Sequence, residues 1–246
     1  MLLINSNEKN YINCGSGLVK HQMPKYLNQI KALKKINKSI VTNNKFLINK
    51  EGNIKIYYAP FDYVNSKAKI MIVGITPGLQ QMLQSFQVIN DGKSLKEVKD
   101  LSSFKGSMRT TLIKYMDALN VNKKLKIKSC ESLFDLHSKY LHTTSLVKYP
   151  VFDKGRNYSG SNILKKELLL NFIEENFLKE LKIHQNSIII PLGNTVSSTI
   201  RYLNEKYNLK LSCFLEGFPH PSGANARKNI QFKENKRNMK ILLRIK

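Results

Sequence analysis

The residues best suited to chemistry lie in two turns, each of which follows an apolar run that predicts a strand. The first turn, Gly74–Gly78, reads Gly-Ile-Thr-Pro-Gly. The second begins with His220, which stands between two prolines, and continues through Ser222 and Gly223. An imidazole gains or loses a proton near neutral pH, and small residues let a phosphate approach main-chain N–H groups closely. These two turns are therefore candidates for catalysis and phosphate binding.

The elements that must position these turns are the strands of a buried sheet. Apolar runs predict strands at 69–74, 138–147, 187–192 and 209–216. Helical spacing of apolar residues predicts helices at 79–88, 111–119, 163–182 and 194–207. Strands separated by helices form right-handed crossovers, so we expect a three-layer α/β/α fold with a central four-stranded, mainly parallel sheet. Ligands bind beyond the carboxyl ends of such strands, so both turns should lie at one edge.

The sequence of the N-terminal part predicts additional elements, a basic elaboration that precedes this core. The first 20 residues show no period, a helix is expected at 24–38, and Lys45–Tyr58 reads as a β-hairpin with its turn at Gly52. We therefore divide the chain into a basic elaboration at 1–60, packed on the core, and a catalytic α/β domain at 61–246. Gly, Ser and Asn are frequent at 152–162, which predicts a surface loop.

The charge of the chain indicates a polyanionic partner. Its 246 residues include 41 Lys and Arg against 17 Asp and Glu, a net charge of +24. The lysines of 20–50 are accompanied by no acidic residue, and 227–246 carries a second basic cluster. Solubility does not require so large an excess, so we expect the clusters to bind an acidic polymer or an acidic surface.

Other composition features exclude several classes. No apolar run approaches the ~18 residues that span a bilayer, and Met1–Ile4 is too short for the core of a signal peptide. We therefore expect no membrane association and a cytoplasmic location. Cys14, Cys130 and Cys213 are widely spaced, so neither a disulfide framework nor a metal site is predicted.

Five short motifs occur in an order that resembles the uracil-DNA glycosylase superfamily, with most similarity to its mismatch-specific and single-strand-selective branches. The turns at 74–78 and 220–223 resemble the two signature motifs of that family. Three weaker matches lie between them, at Phe104–Arg109, Thr144–Lys148 and Ile188–Val196. The resemblance runs from about residue 57 to the C-terminus. It implies a uracil-DNA-glycosylase-like fold that extrudes a nucleotide from DNA and cleaves its glycosidic bond.

The resemblance also implies roles for individual residues. His220 donates a hydrogen bond to the departing base, and Thr76 occupies the catalytic position beside the attacking water. Phe104 stacks on the extruded base, which Ile75 and Ser145 also contact. The residues that the resemblance assigns to DNA binding are Pro77, Gly78, Ser222, Gly223, Asn225 and Arg227. In relatives a bulky side chain shortly after the second motif fills the vacated hole; Ala224 and Asn225 occupy that place here, so Arg227 is the candidate for this role.

Two departures from the family pattern bear on the substrate. Relatives carry Asn or Asp where this chain has Thr76, and Asn where it has Ser145. Loss of a base-reading amide removes discrimination, so we expect a larger or modified base rather than uracil, for example in invading phage DNA. Asp62, Asp91 and Asp153 are open alternatives for the missing carboxylate.

The main hypothesis is a monofunctional DNA glycosylase that works as a monomer, without metal or organic cofactor, and leaves an abasic site. No lysine stands at a recognisable Schiff-base position. The alternative is a catalytically inactive relative that binds DNA or a modified base, which Thr76 and Ser145 favour. A third reading is an unrelated nucleotide-binding protein in which Gly74–Gly78 holds a phosphate, although the chain lacks both common phosphate-binding motifs.

Overall fold

A computed structural model describes residues 17–244, and within them the chain forms eight strands and ten α-helices. The strands are β1 (Leu47–Glu51), β2 (Ile54–Tyr57), β3 (Ile70–Gly74), β4 (Leu141–Ser145), β5 (Val151–Asp153), β6 (Arg156–Asn157), β7 (Ile188–Pro191) and β8 (Cys213–Phe214). The helices are α1 (Gly17–Lys31), α2 (Lys38–Val41), α3 (Leu79–Asn90), α4 (Leu95–Ser102), α5 (Ser107–Ala118), α6 (Val121–Leu125), α7 (Glu167–Phe172), α8 (Leu178–Ile183), α9 (Asn194–Lys206) and α10 (Lys228–Arg244).

The central sheet has four strands in the order β4-β3-β7-β8, and all three strand pairs are parallel. Every residue of β3 is buried. Ile70 and Ile72 belong to the hydrophobic core on one face of the sheet, whereas Met71 and Val73 belong to the core on the other. This alternation follows from the two-residue period of a strand, and it explains why the run has no polar member.

Helices cover both faces, which confirms the predicted three-layer α/β/α fold. Apolar residues of α1, α3, α7, α8 and α9 pack in the core that includes Met71 and Val73. Apolar residues of α5, α6 and α10 pack in the core that includes Ile70 and Ile72. The central sheet is thus buried between helix layers, and only its strand ends are available to bind a ligand.

The predicted N-terminal hairpin is confirmed and has a wider role than expected. Strands β1 and β2 pair antiparallel around Gly52, whose φ of +53° suits glycine. The prediction of a plain surface loop at 152–162 is wrong, because β5 and β6 lie there and β2 pairs with β5. A second sheet, β1-β2-β5-β6, therefore joins the elaboration to the core.

The first helix differs from the prediction at both ends. It begins at Gly17 and ends at Lys31 rather than covering 24–38. The side-chain amide of Asn90 donates hydrogen bonds to the carbonyl oxygens of Ile30 (3.0 Å) and Leu33 (3.0 Å). These bonds supply partners to carbonyl groups at and just past the end of the helix. Most of the predicted N-terminal lead-in, with Cys14, lies outside the described residues.

The predicted long helix at 163–182 is interrupted. A 3₁₀ turn at Ile163–Lys165 precedes α7, and a π-helical segment, Ile173–Phe177, separates α7 from α8. The fourth strand is also shorter than predicted, because Ser212 N–H donates to the carbonyl of Gln185 before the strand pairing begins. Among residues 17–244 no helix combines the length and apolar character needed to cross a bilayer.

Candidate functional site

The two turns predicted to carry chemistry lie at the same edge of the central sheet. Strand β3 ends at Gly74 and pairs with β7, which leads into Gly193. Gly193 N–H donates to the carbonyl of Phe218, two residues before His220. A Cβ placed on Gly193 would lie 3.1 Å from the Cβ of His220, so glycine is needed for this close approach. Gly193 also has a φ of +89°, which favours glycine.

The first turn reaches the same place from the other side. Ile75 and Thr195 both approach the α-carbon of Gly160, since a Cβ built there would lie 2.8 Å from Ile75 Cδ1 and 3.1 Å from Thr195 Cγ2. Thr195 belongs to the first turn of α9, directly after Gly193. The segment 193–195 therefore stands between the Ile75 turn and the His220 turn.

His220 is held in one orientation within its turn. Its Nδ1 atom accepts a hydrogen bond from the N–H of Ser222 (3.3 Å). Burial lowers the pKa of His220, so its neutral form is favoured. A neutral ring whose Nδ1 accepts carries its proton on Nε2. His220 therefore presents an Nε2–H donor without a full positive charge.

The rest of the second turn is braced by its own side chains. Asn225 Nδ2 donates to the carbonyl of His220 (3.1 Å) and to Gln231 Oε1 (2.9 Å), and Ser222 Oγ accepts from the N–H of Ala224 (3.1 Å). Gly223 is exposed, with no atom of the described chain within 4 Å of a Cβ built on it. Arg227, the predicted wedge, is exposed just before α10.

The first turn is fixed by contacts to the main chain and to the second sheet. Thr76 Oγ1 donates to the carbonyl of Tyr149 (2.8 Å) and accepts from the N–H of Val151 (3.1 Å). The N–H of Gly78 donates to Gln81 Oε1, and the next N–H donates to Asn157 Oδ1 in β6. The Thr76 hydroxyl thus anchors the turn to 149–151, and its catalytic role stays a prediction.

Phe104 and Ser145 come together against Gly74. A Cβ built on Gly74 would lie 3.3 Å from Ser145 Oγ and 3.5 Å from the Phe104 ring. Phe104 has a φ of +49°, a conformation that is uncommon for a bulky residue. The guanidinium of Arg109 donates to the carbonyl of Ser103 (2.7 Å) and so helps to hold the Phe104 segment.

A small pocket opens beneath Phe104. Its walls are formed by Phe61, Pro77, Gln81, Lys99, Ser103, Phe104, Thr143, Thr144, Ser145 and Lys148. The cavity measures about 20 Å³, which is room for about one water molecule. A ligand larger than a water molecule would enter only if the side chains around it moved apart. Three predicted site residues, Pro77, Phe104 and Ser145, thus share one pocket.

A buried charged network lies behind this pocket. His142 Nε2 and Glu180 Oε2 are 2.9 Å apart, and both residues are almost fully buried. Lys148 Nζ lies 3.8 Å from Glu180 Oε1 and 4.0 Å from Asp62 Oδ1. Asp62 also accepts hydrogen bonds from two tyrosine hydroxyls, one of them Tyr149 (2.5 Å). The network connects the wall of the pocket to the layer that contains α8.

The network sets the protonation of its members. Burial lowers the pKa of His142 to about 4, and its Nδ1 faces the N–H of Asn65 at 3.4 Å, so the ring is neutral at pH 7. Burial alone would raise the pKa of Glu180, but the hydrogen bond from His142 and the charge of Lys148 hold it well below its usual value. Glu180 is therefore an anion inside the protein.

The three alternatives for a catalytic carboxylate occupy different places. Asp62 lies behind the pocket next to Lys148. Asp91 ends α3 and accepts a hydrogen bond from Gln87, and Asp153 is the last residue of β5. Only Asp62 of these three is connected to a residue of the pocket wall by the contacts above. Among the described residues no group of three His, Cys, Asp or Glu side chains is placed to hold a metal ion.

Comparison with known proteins identifies a relative. The chain is 33% identical over 221 residues to the uncharacterized protein YoxB of Bacillus subtilis (strain 168). The aligned region covers 85% of this chain and 86% of that protein. The chain belongs to the YoxB family. No protein-family profile matches it.

Three residues of the site in this YoxB-family chain were not predicted to act there. Arg109 and Lys148 lie within two of the motifs described above, and Lys99 lies outside all of them. One signal for Lys99 was present in the sequence. Leu95, Val98 and Lys99 are spaced as one buried face of α4. A lysine on an apolar face is a candidate for a buried, functional charge.

Proposed function

We propose that this protein is a DNA glycosylase that hydrolyses the N-glycosidic bond of an extruded, modified base and leaves an abasic site. In this reaction a water oxygen bonds to C1′ of the sugar and the water loses one proton, the bond from C1′ to the base nitrogen breaks, and the base leaves with the electron pair and takes up one proton. Negative charge develops on the base, so a donor placed at a base oxygen stabilises the transition state more than the ground state.

The observation that carries the proposal is the neutral, oriented His220 at the sheet edge that also bears the Phe104 pocket. Its Nε2–H is the donor that this chemistry requires, since Nδ1 is occupied by Ser222 N–H. A neutral imidazole stabilises the departing base by donating a hydrogen bond to it, and it keeps its own proton. Phe104 offers a ring face for the base. Ser145 lies beside Gly74, where the first turn begins, and Ile75 is the next residue of that turn.

The basic helix α10 supports DNA as the partner. It begins directly after the His220 turn and carries Lys233 and Arg237 on its exposed face. Cations beside the site would neutralise phosphates that flank the extruded nucleotide. Gly223 and Gly78, with the neighbouring Pro77 and Ser222, would contact the strand itself. We propose that the protein acts in the cytoplasm as a monomer, without metal or organic cofactor.

A second candidate function is DNA binding without catalysis. The hydroxyl of Thr76 is engaged by main-chain atoms on both sides, through Tyr149 and Val151, which leaves it little capacity to orient a water. Asp62 is the remaining carboxylate near the pocket, and two tyrosine hydroxyls and Lys148 surround it. Such a protein would bind modified DNA and release no base.

One experiment separates the two candidates. Wild type and His220→Ala are incubated with DNA that contains uracil, mismatches or modified pyrimidines, and alkali-sensitive breaks are scored. The glycosylase proposal predicts breaks with wild type and a loss of about 100-fold or more in the variant, the usual effect of removing such a donor. Salt-dependent DNA binding without breaks would support the binding protein instead. Breaks at equal rates with both proteins would contradict the role of His220.

A further inference from the structure

Lys99 is a buried cation whose side chain reaches the pocket beneath Phe104. It lies on α4 and is 7% exposed. Its ammonium donates to the carbonyl oxygen of Thr143 (2.7 Å), at the edge of the central sheet. Within residues 17–244 this is its one hydrogen bond, whereas an ammonium carries three N–H donors. Two donors of Lys99 therefore remain for a ligand.

The wall of the pocket carries an excess of positive charge. Lys99 and Lys148 both line it, and none of the described residues that line it is acidic. The carboxylates of Glu180 and Asp62 lie behind Lys148 and do not line the cavity. A ligand in the pocket therefore meets the ammonium groups before it meets their counter-ions. This arrangement stabilises a bound anion or oxygen acceptor, and it does not stabilise a bound donor group.

A second observation also points to a polar ligand in the pocket. The hydroxyl of Thr144, which is 5% exposed, has no hydrogen-bond partner among the described residues. Thr143 Oγ1, next to it, is engaged by Ser103 Oγ (2.9 Å). An unpaired hydroxyl costs free energy when it is buried, and a ligand that accepts from it removes this cost. The Thr144 hydroxyl can therefore donate to an acceptor that Lys99 also contacts.

We propose that Lys99 is the specificity-determining residue of the pocket, which selects a base presenting an oxygen acceptor or a carboxylate and rejects one presenting an amino group. This inference rests on the glycosylase proposal for the identity of the ligand as a base. An amino group directed at Lys99 would leave both unused ammonium donors without an acceptor. Hydrogen bonds to charged groups contribute about 1.5–3 kcal/mol, so the preference should be about 10- to 100-fold.

The ionisation of Lys99 supplies an independent readout. The pKa of Lys99 is lowered to about 8, chiefly by burial; the charge of Lys148 contributes to the shift, and Glu180 and Asp62 oppose it. His142, from the adjacent strand, is neutral and adds no charge near pH 8. The preference for an acceptor should therefore weaken as the pH rises from 7 to 9.5 in wild type. It should persist in Lys99→Arg, because arginine stays charged throughout this range.

The experiment uses DNA with 5-carboxyuracil, 5-aminomethyluracil, uracil or cytosine at one position. Base release and equilibrium DNA binding are both measured for wild type, Lys99→Met and Lys99→Arg at pH 7 and 9.5. Methionine keeps a similar length without charge. Lys96→Met is the matched control, because Lys96 lies one turn earlier on α4, is exposed and pairs with Asp100. It removes the same charge from the chain without reaching the pocket beneath Phe104.

The expected result is a carboxyl and keto preference in wild type that Lys99→Met abolishes and Lys96→Met keeps. A purely structural role for Lys99 predicts an equal loss with every base and no effect of pH on the preference, and that result would overturn the inference. Absence of base release, with a binding preference that still depends on Lys99, would contradict the glycosylase proposal alone. Base release whose preference is unchanged in a folded Lys99→Met would contradict the inference alone.

Discussion

Replacing Gly193 by alanine should separate the stability of the fold from the geometry of the site. Gly193 has a φ of +89°, so a Cβ there strains the main chain. With a ψ of 171° Gly193 lies in a region almost restricted to glycine, where other residues are strained by about 1–3 kcal/mol. For a chain of this size each kcal/mol lowers Tm by about 2–4 °C, so we expect a loss of about 5 °C. The new Cβ would also lie 3.1 Å from the Cβ of His220 and displace that ring.

The displacement has its own expected effect. A Cβ contact at this distance moves the neighbour by a few tenths of an ångström, and misplacement of a catalytic group by about 1 Å costs about 100-fold in rate. We expect Gly193→Ala to reduce base release about tenfold. Gly92→Ala is the matched control, since Gly92 has a φ of +79° and no atom within 4 Å of a built Cβ among the described residues.

The assay is base release measured under conditions where each variant is folded, together with thermal unfolding. Both variants should lose Tm, with the larger loss in Gly193→Ala, and only Gly193→Ala should lose activity. Equal activity in the two variants would refute the inference that the contact with Gly193 positions His220. A large activity loss in Gly92→Ala would show that backbone strain alone accounts for the effect.

Two further predictions follow from the pocket and from the buried network. Gly74→Ala places a Cβ 3.3 Å from Ser145 Oγ and 3.5 Å from the Phe104 ring. It should lower the free energy of unfolding, measured with urea, by less than ~1 kcal/mol and reduce base release about tenfold. Unchanged release would show that the base binds elsewhere. The pKa of His142 falls from 6.5 to about 4 on folding, so the unfolded chain takes up a proton first as the pH is lowered. The stability that the neutral ring contributes is present above pH 6.5 and lost as pH falls to 4, by up to about 3 kcal/mol. Urea unfolding from pH 7 to 4 should show this loss, and His142→Gln, which cannot protonate, should show a smaller one.

The sheet could be predicted from the sequence because its signal is local. The run Ile70–Val73 is apolar at every position, and only a strand covered on both faces requires that. The β5–β6 hairpin was missed because its partner, β2, is far away in the chain, and its own residues suggest a loop. The start of helix α4 has a local signal as well, since Ser94 and Glu97 have the spacing of a capping box and form one.

The candidate site also has one part that could be predicted from the sequence and one part that could not. The turns with Thr76 and His220 could be found because glycine and proline mark them, and a parallel sheet brings strand ends together. The charged groups behind the pocket could not be found, because the burial of Glu180 and His142 depends on the packing of α8 against β4. Lys99 reaches the pocket for a similar non-local reason, since the helix that carries it covers the sheet edge at Thr143.

The most direct test of the proposed reaction is mass spectrometry of the small molecules released from DNA that carries modified pyrimidines. Wild type should release one free base for each abasic site formed, and His220→Ala, folded to the same extent, should release about 100-fold less. Recovery of every modified base still attached to DNA, or equal release by both proteins, would contradict hydrolysis assisted by His220.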